Sequence, residues 1–184
     1  KNMSSSIPSH VGVKSIKTLK EIPLKDFFKN PEMSSFQMSP DGKYISYMKP
    51  WEDGNRMMNV YVRPIESKDE VRITGASKRS LYGYFWLNEN RIAYVQDEGG
   101  DENIHIYAVN IDGTNNIDLT PFENIQARIT DDLEDDPNFM LVALNKRNPR
   151  IHDVYRLNVN SGDMEMIAEN PGNISGWMTD NNGK

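Results

Sequence analysis

Cysteine is missing from all 184 residues, which removes disulfide frameworks, thiol redox chemistry and the sulfur ligands of structural zinc. Histidine is scarce: His10, His105 and His152 are the only three, no two stand at metal-ligand spacing, and no metal or cofactor motif is legible. Long apolar runs are absent too, since none approaches the roughly 18 residues of a membrane span. Lys1 to Lys20 lacks the apolar centre of a secretory signal. Positive charge is in deficit, with 21 Lys and Arg against 27 Asp and Glu and a net charge of −6. That balance argues against a nucleic-acid partner or an anionic membrane surface. The compartment stays open between the cytoplasm and a periplasmic or secreted location.

What is present changes character along the chain. Residues 1–21 are rich in Ser and Lys without a period of 2 or 3.6, and read as a flexible lead-in. Over 22–33, Leu24, Phe27 and Phe28 fall on one face of a short helix closed by Pro31, a face suited to docking on another domain. From Ser34 onward, short alternating runs separated by Pro, Asp, Asn and Gly take over.

Those runs repeat. Phe36-Gln37-Met38 leads through the turn Ser39-Pro40-Asp41-Gly42 to Tyr44–Met48, as Phe85-Trp86-Leu87 leads to Arg91–Val95. A further run recurs three times around Tyr61, Tyr107 and Tyr155, tyrosines spaced 46 and 48 residues apart. Each unit then ends in a short strand, expected at Val71–Thr74, Ile117–Pro121 and Met164–Ala168. Four antiparallel strands at this period describe a β-propeller blade. The predicted fold is therefore all-β: a partial β-propeller with blades at about 34–78, 80–122 and 125–171, the start of another over 173–184, and a short N-terminal helix. A closed ring of seven blades would need about 330 residues. The arc is accordingly expected to be non-autonomous, completed by further chain or by self-association. Opening on Lys1 and closing on Lys184, the sequence itself reads as a processed or partial chain.

At this point the residues resemble a family. Leu24–Pro31 followed by Ser39–Tyr44, Gly83-Tyr84-Phe85-Trp86, Gly99–Tyr107, Asp153–Leu157 and Gly176-Trp177 are similar, in order, to the N-terminal propeller of prolyl oligopeptidase family serine peptidases of the acylaminoacyl-peptidase and dipeptidyl-aminopeptidase type. The resemblance implies a propeller that caps an α/β-hydrolase domain and admits short peptides to it. It also implies that the remaining blades and a C-terminal hydrolase domain are this chain's partners. The hydrolase nucleophile needs a G-x-S-x-G elbow. The nearest match, Gly75-Ala76-Ser77-Lys78-Arg79, has Arg79 in place of the second glycine, so Ser77 reads as a loop residue and no catalytic residue is assigned. A protein-binding propeller of the TolB type, with no hydrolase, is the competing expectation.

Within the arc, four residues are the candidates for lining a substrate cavity. Trp51 and Arg56 stand in the long turn Met48–Met58, while Arg147 and Arg150 flank Pro149 and have the forked donors that grip a peptide carboxylate. The acidic run Asp97–Asn103 fails the spacing of a calcium loop and reads as a solvated hairpin turn. Asp131–Pro137 reads as a turn entering a buried strand. His105 occupies a position held by Asn59 and Asp153 in the other repeats, and reads as structural, as do the repeated tyrosines, Trp86 and Trp177.

Overall fold

The computed structural model describes residues 32–179, apart from Glu98, Asp101 and Glu134. The lead-in 1–21 and residues 22–31 of the expected helix, with Leu24, Phe27 and Phe28, lie outside the described residues. Twelve strands follow in three sheets, each a meander in which consecutive strands pair antiparallel. The first holds β1 (Ser34–Met38), β2 (Tyr44–Trp51), β3 (Met57–Pro64) and β4 (Val71–Arg72). The second holds β5 (Gly83–Asn88), β6 (Arg91–Asp97), β7 (Ile104–Asn110) and β8 (Ile117–Asp118). The third holds β9 (Ala127–Asp131), β10 (Phe139–Asn148), β11 (Ile151–Asn158) and β12 (Met164–Ala168). These are three propeller blades, and the fold is a partial β-propeller.

Turn chemistry sets the first hairpin. Ser39 Oγ donates to Asp41 Oδ1 at 2.7 Å, Gly42 N returns to Ser39 O at 2.9 Å, and Gly42 takes the positive φ of 71° that closes the turn. In the second sheet Asn88 Oδ1 serves the same purpose by accepting Asn90 N at 3.0 Å.

Packing explains why the inner strands lose the alternation of a one-sided sheet. Asn59–Val62, Arg91–Tyr94 and Met140–Asn145 are buried at every position, because each central strand is covered on both faces. Two apolar layers result. One joins Val60, Val62 and Ile73 of the first sheet to Tyr84, Ile92 and Val109 of the second, and the other joins Ile106 and Leu119 to Met140, Val142, Leu144 and Leu157 of the third. Each such side chain contributes about 1.5–3 kcal/mol on burial. Polar ties cross the same boundaries. Trp86 Nε1 donates to Ser46 Oγ at 2.9 Å, and Arg91 Nε, itself buried, donates to Val159 O at 3.1 Å. The repeated tyrosines sit in register: Tyr61 stacks on Tyr47 and Tyr107 on Tyr94, with ring centroids 6.2 and 5.0 Å apart, while Tyr155 pairs with Val142.

Two strand expectations change. The outer strands β4 and β8 have two residues each rather than running through Thr74 and Pro121. Thr74 Oγ1 and Thr120 Oγ1 accept the amides of Val60 and Ile106 at 2.9 and 3.0 Å, so a hydroxyl replaces the main-chain carbonyl that would continue each ladder. Residues 173–179, read as an opening strand, form none. The segment has no ladder partner among the described residues and is instead fixed by Trp177 Nε1 donating to His152 O at 2.8 Å.

Candidate functional site

Antiparallel meanders send alternate loops to opposite ends. The β2–β3, β6–β7 and β10–β11 hairpins therefore emerge at the same end as the β4–β5 and β8–β9 connections and the segment after β12. Three cavities open there. One of about 170 Å³ lies between the β4–β5 connection and Asp97, a second of about 410 Å³ is bounded by His105, Asp118 and Phe122, and a third of about 490 Å³ lies beside the β10–β11 turn.

A buried polar side chain near the start of each third strand ties this end together. Asn59 Oδ1 accepts Thr74 Oγ1 and Ala76 N at 2.8 and 2.7 Å, and its Nδ2 donates to Ala76 O at 2.8 Å. In the second blade His105 Nδ1 meets Asp118 Oδ2 at 2.8 Å. In the third, Asp153 Oδ1 accepts Asn170 N at 2.7 Å. One position thus uses an amide, an imidazole and a carboxylate for one task, anchoring the connection to the next blade.

The candidate residues are distributed around this end. Trp51 is half-buried, with the Arg72 guanidinium 3.7 Å over its ring and Gly54 packed beneath it. Arg56, exposed and at a positive φ of 57°, is chelated by Glu52 at 2.5 and 2.6 Å. Both belong to the β2–β3 hairpin and are braced within it. Arg147 is engaged by its own blade: Nε and Nη2 bind the buried Asp153 carboxylate at 2.9 Å each, and Nη2 also reaches Asn170 O at 2.9 Å. Those hydrogen bonds from Arg147 hold the Asp153 carboxyl below its usual range and raise the guanidinium's own pKa. Arg150, exposed in the β10–β11 turn, borders the largest cavity. The structure thus separates Arg147 from Arg150 and sets Arg128 of β9 on that cavity's wall with Arg150. Arg128 went unread because no spacing rule connects the first strand of a blade with its second hairpin.

His152 lies on the same wall, and its Nε2 donates to Gln126 O at 3.1 Å. Burial, followed by the nearby Arg128 charge, pushes its pKa below the ordinary value, so the ring is neutral at pH 7. The hairpin expected to be solvated around Asp97 is different as well. Asp97 is buried, with Oδ2 bound by Arg79 at 2.8 Å and by the Tyr82 hydroxyl at 3.2 Å. Among the described residues no cluster of three His, Cys, Asp or Glu side chains is placed to hold a metal ion, and no helix is long and apolar enough to cross a membrane.

No family model matches the sequence. Individual proteins do. The chain is 34% identical over 155 residues to dipeptidyl aminopeptidase BIII of Pseudoxanthomonas mexicana, which covers 83% of this chain and 22% of that protein. It is 28% identical over 158 residues to dipeptidyl peptidase family member 6 of Caenorhabditis elegans, covering 81% of this chain and 21% of that one. It therefore spans about a fifth of the length of these curated relatives. Among solved structures, an oligogalacturonate lyase of Vibrio parahaemolyticus superposes with a TM-score of 0.61 at 13% identity over 84% of this chain and 46% of the other. The AtxE2 isopeptidase superposes with a TM-score of 0.51 at 15% identity over 78% of this chain and 21% of its own. At such identities the two structures speak for the fold alone. With the ordered series of blade motifs and the two peptidase relatives in agreement, the chain belongs to the prolyl oligopeptidase family, as a stretch of its β-propeller.

Proposed function

We propose that this propeller stretch is the non-catalytic, substrate-selecting part of a serine peptidase acting on short peptides. In this reading the loop-bearing end faces an α/β-hydrolase domain in the same protein, with Leu24, Phe27 and Phe28 docking against it and further blades completing the ring. The observation that carries it is the 34% identity to a dipeptidyl aminopeptidase in which the matched part makes up only 22% of the chain. Side-chain chemistry supports it. His105 is tied to Asp118 and His152 to a main-chain carbonyl, and no G-x-S-x-G elbow occurs in the sequence. The loop end offers walls and cavities, which suit admission and orientation rather than bond cleavage.

Hydrolysis of dipeptidyl p-nitroanilides tests the reading. The 184-residue chain alone is expected to give no turnover. Joined to a hydrolase domain of the family, it should confer a preference for short over long peptides that the hydrolase lacks without it. Turnover by the chain alone, or an unchanged length preference after its removal, would overturn the proposal.

A further inference from the structure

Seven of the nine arginines among the described residues are held through their side chains by a carboxylate or a main-chain carbonyl. Arg128 and Arg150 alone make no side-chain hydrogen bond or ion pair among the described residues, and both line the cavity of about 490 Å³ beside the β10–β11 turn. No Asp or Glu lines that cavity, although acidic residues outnumber basic ones in the chain by 27 to 21. Two uncompensated guanidinium groups in one concavity of an acidic protein create a local positive field that draws an anion.

The walls are fixed in advance. Trp177 is anchored by its indole to His152 O at 2.8 Å. Asn170 closes the 170–174 loop on itself, Nδ2 donating to Ile174 O at 2.8 Å and Oδ1 accepting Gly172 N at 2.9 Å. The neighbouring Asp153 is neutralised by Arg147 and does not compete for the two free guanidinium groups. Ile129, Ile151 and Ile174 add apolar surface next to these donors. The volume falls in the range of roughly 300–1,000 Å³ typical of small-ligand sites.

We propose that this cavity is a carboxylate-recognition site for peptides, in which Arg128 and Arg150 grip a carboxylate while Trp177 and the isoleucines cover the adjoining residue. This rests on the peptidase reading above and deepens it: the site would select peptides by the position of a negative charge. Planar guanidinium forks match a carboxylate through paired hydrogen bonds, which favours this ligand over a bulky hydrophobic one. The charge could come from a free C-terminus or from an Asp or Glu side chain, and the chemistry is shared.

Calorimetric titration of the protein with three versions of one tetrapeptide separates these sources: a free C-terminal acid, the C-terminal amide, and an amide carrying Glu. The acid is expected to bind at least tenfold more tightly than the plain amide. If the Glu amide recovers that affinity, a side-chain carboxylate also serves. Arg128→Gln and Arg150→Gln should each erase most of the difference, and Arg150→Lys should restore it only in part. Lys68→Gln, on an exposed loop at the opposite end, controls for net charge, and a thermal melt checks the fold of each variant. Equal affinity of the wild-type protein for acid and amide would overturn the site, as would a preference insensitive to both arginines or binding of inorganic phosphate that peptide acids cannot displace. Because this readout is binding, it can fail while the p-nitroanilide assay succeeds, and the reverse.

Discussion

At the scale of single residues, the Arg147–Asp153 pair shows how a residue with a plausible surface role is taken up by the interior. Asp153 has no exposed side-chain surface, and Arg147, 40% exposed, supplies both hydrogen bonds that make its charge tolerable. Removing the arginine leaves a buried carboxylate partly unpaired, a change that costs about 3–5 kcal/mol in fully buried pairs. Partial exposure of Arg147 brings the expected loss for Arg147→Gln to about 2–3 kcal/mol. The pH dependence has a definite sign. The folded-state pKa of Asp153 is depressed below 3.8, so its contribution is complete above the ordinary carboxylate range and is lost as pH falls through the folded value. Urea denaturation of wild type and Arg147→Gln should differ most at pH 7 and converge toward pH 3. A difference that does not vary with pH would mean the pair acts through packing alone. Gly54 gives a second residue-scale case. A methyl there would overlap the Trp51 ring, so Gly54→Ala should displace the indole, alter the near-ultraviolet circular dichroism, and cost about 1–3 kcal/mol.

Between strands, the outer edge of each blade depends on a hydroxyl. Thr120 Oγ1 accepts the buried Ile106 amide at 3.0 Å, so Thr120→Val keeps the shape and strands the donor, at an expected cost of about 1–3 kcal/mol. The Ile106 amide should then exchange with solvent faster than its neighbours in β7, and unchanged protection would show that another group accepts it. This device also marks where the sequence was readable. Tyr61, Tyr107 and Tyr155 disclosed the blade period because blade-to-blade packing imposes one environment on all three. The buried equivalence of Asn59, His105 and Asp153 was visible as a variable position in a regular repeat, yet three different chemistries hid their common task. The two-residue length of β4 and β8 was not legible, since propensity does not reveal when a threonine side chain will substitute for backbone. Arg128 escaped for a related reason: a free guanidinium is defined by the partners it lacks, which only three-dimensional neighbours decide.

For the molecule as a whole, the two apolar layers account for one face of the first sheet, both faces of the second and one face of the third. Side chains alternate across a strand, so Met48 and Val60 face the second sheet while Phe36, Tyr47 and Tyr61 lie on the opposite face of the first. Phe36 is 55% exposed there, and Ile167 of β12 is 48% exposed on the third sheet. In a propeller such faces are where neighbouring blades stack, and contiguous apolar exposure of this kind favours association. We therefore expect the native mass of the 184-residue chain, followed by light scattering over a hundredfold dilution, to rise with concentration. Phe36→Lys or Ile167→Lys should shift that rise to higher concentration, because an ammonium group pressed between two stacked sheets loses its hydration without gaining a partner. If the chain stays monomeric throughout, and both lysine variants behave as wild type, the outer faces do not seek a further blade, and the proposed completion of the ring by additional chain loses its physical motive.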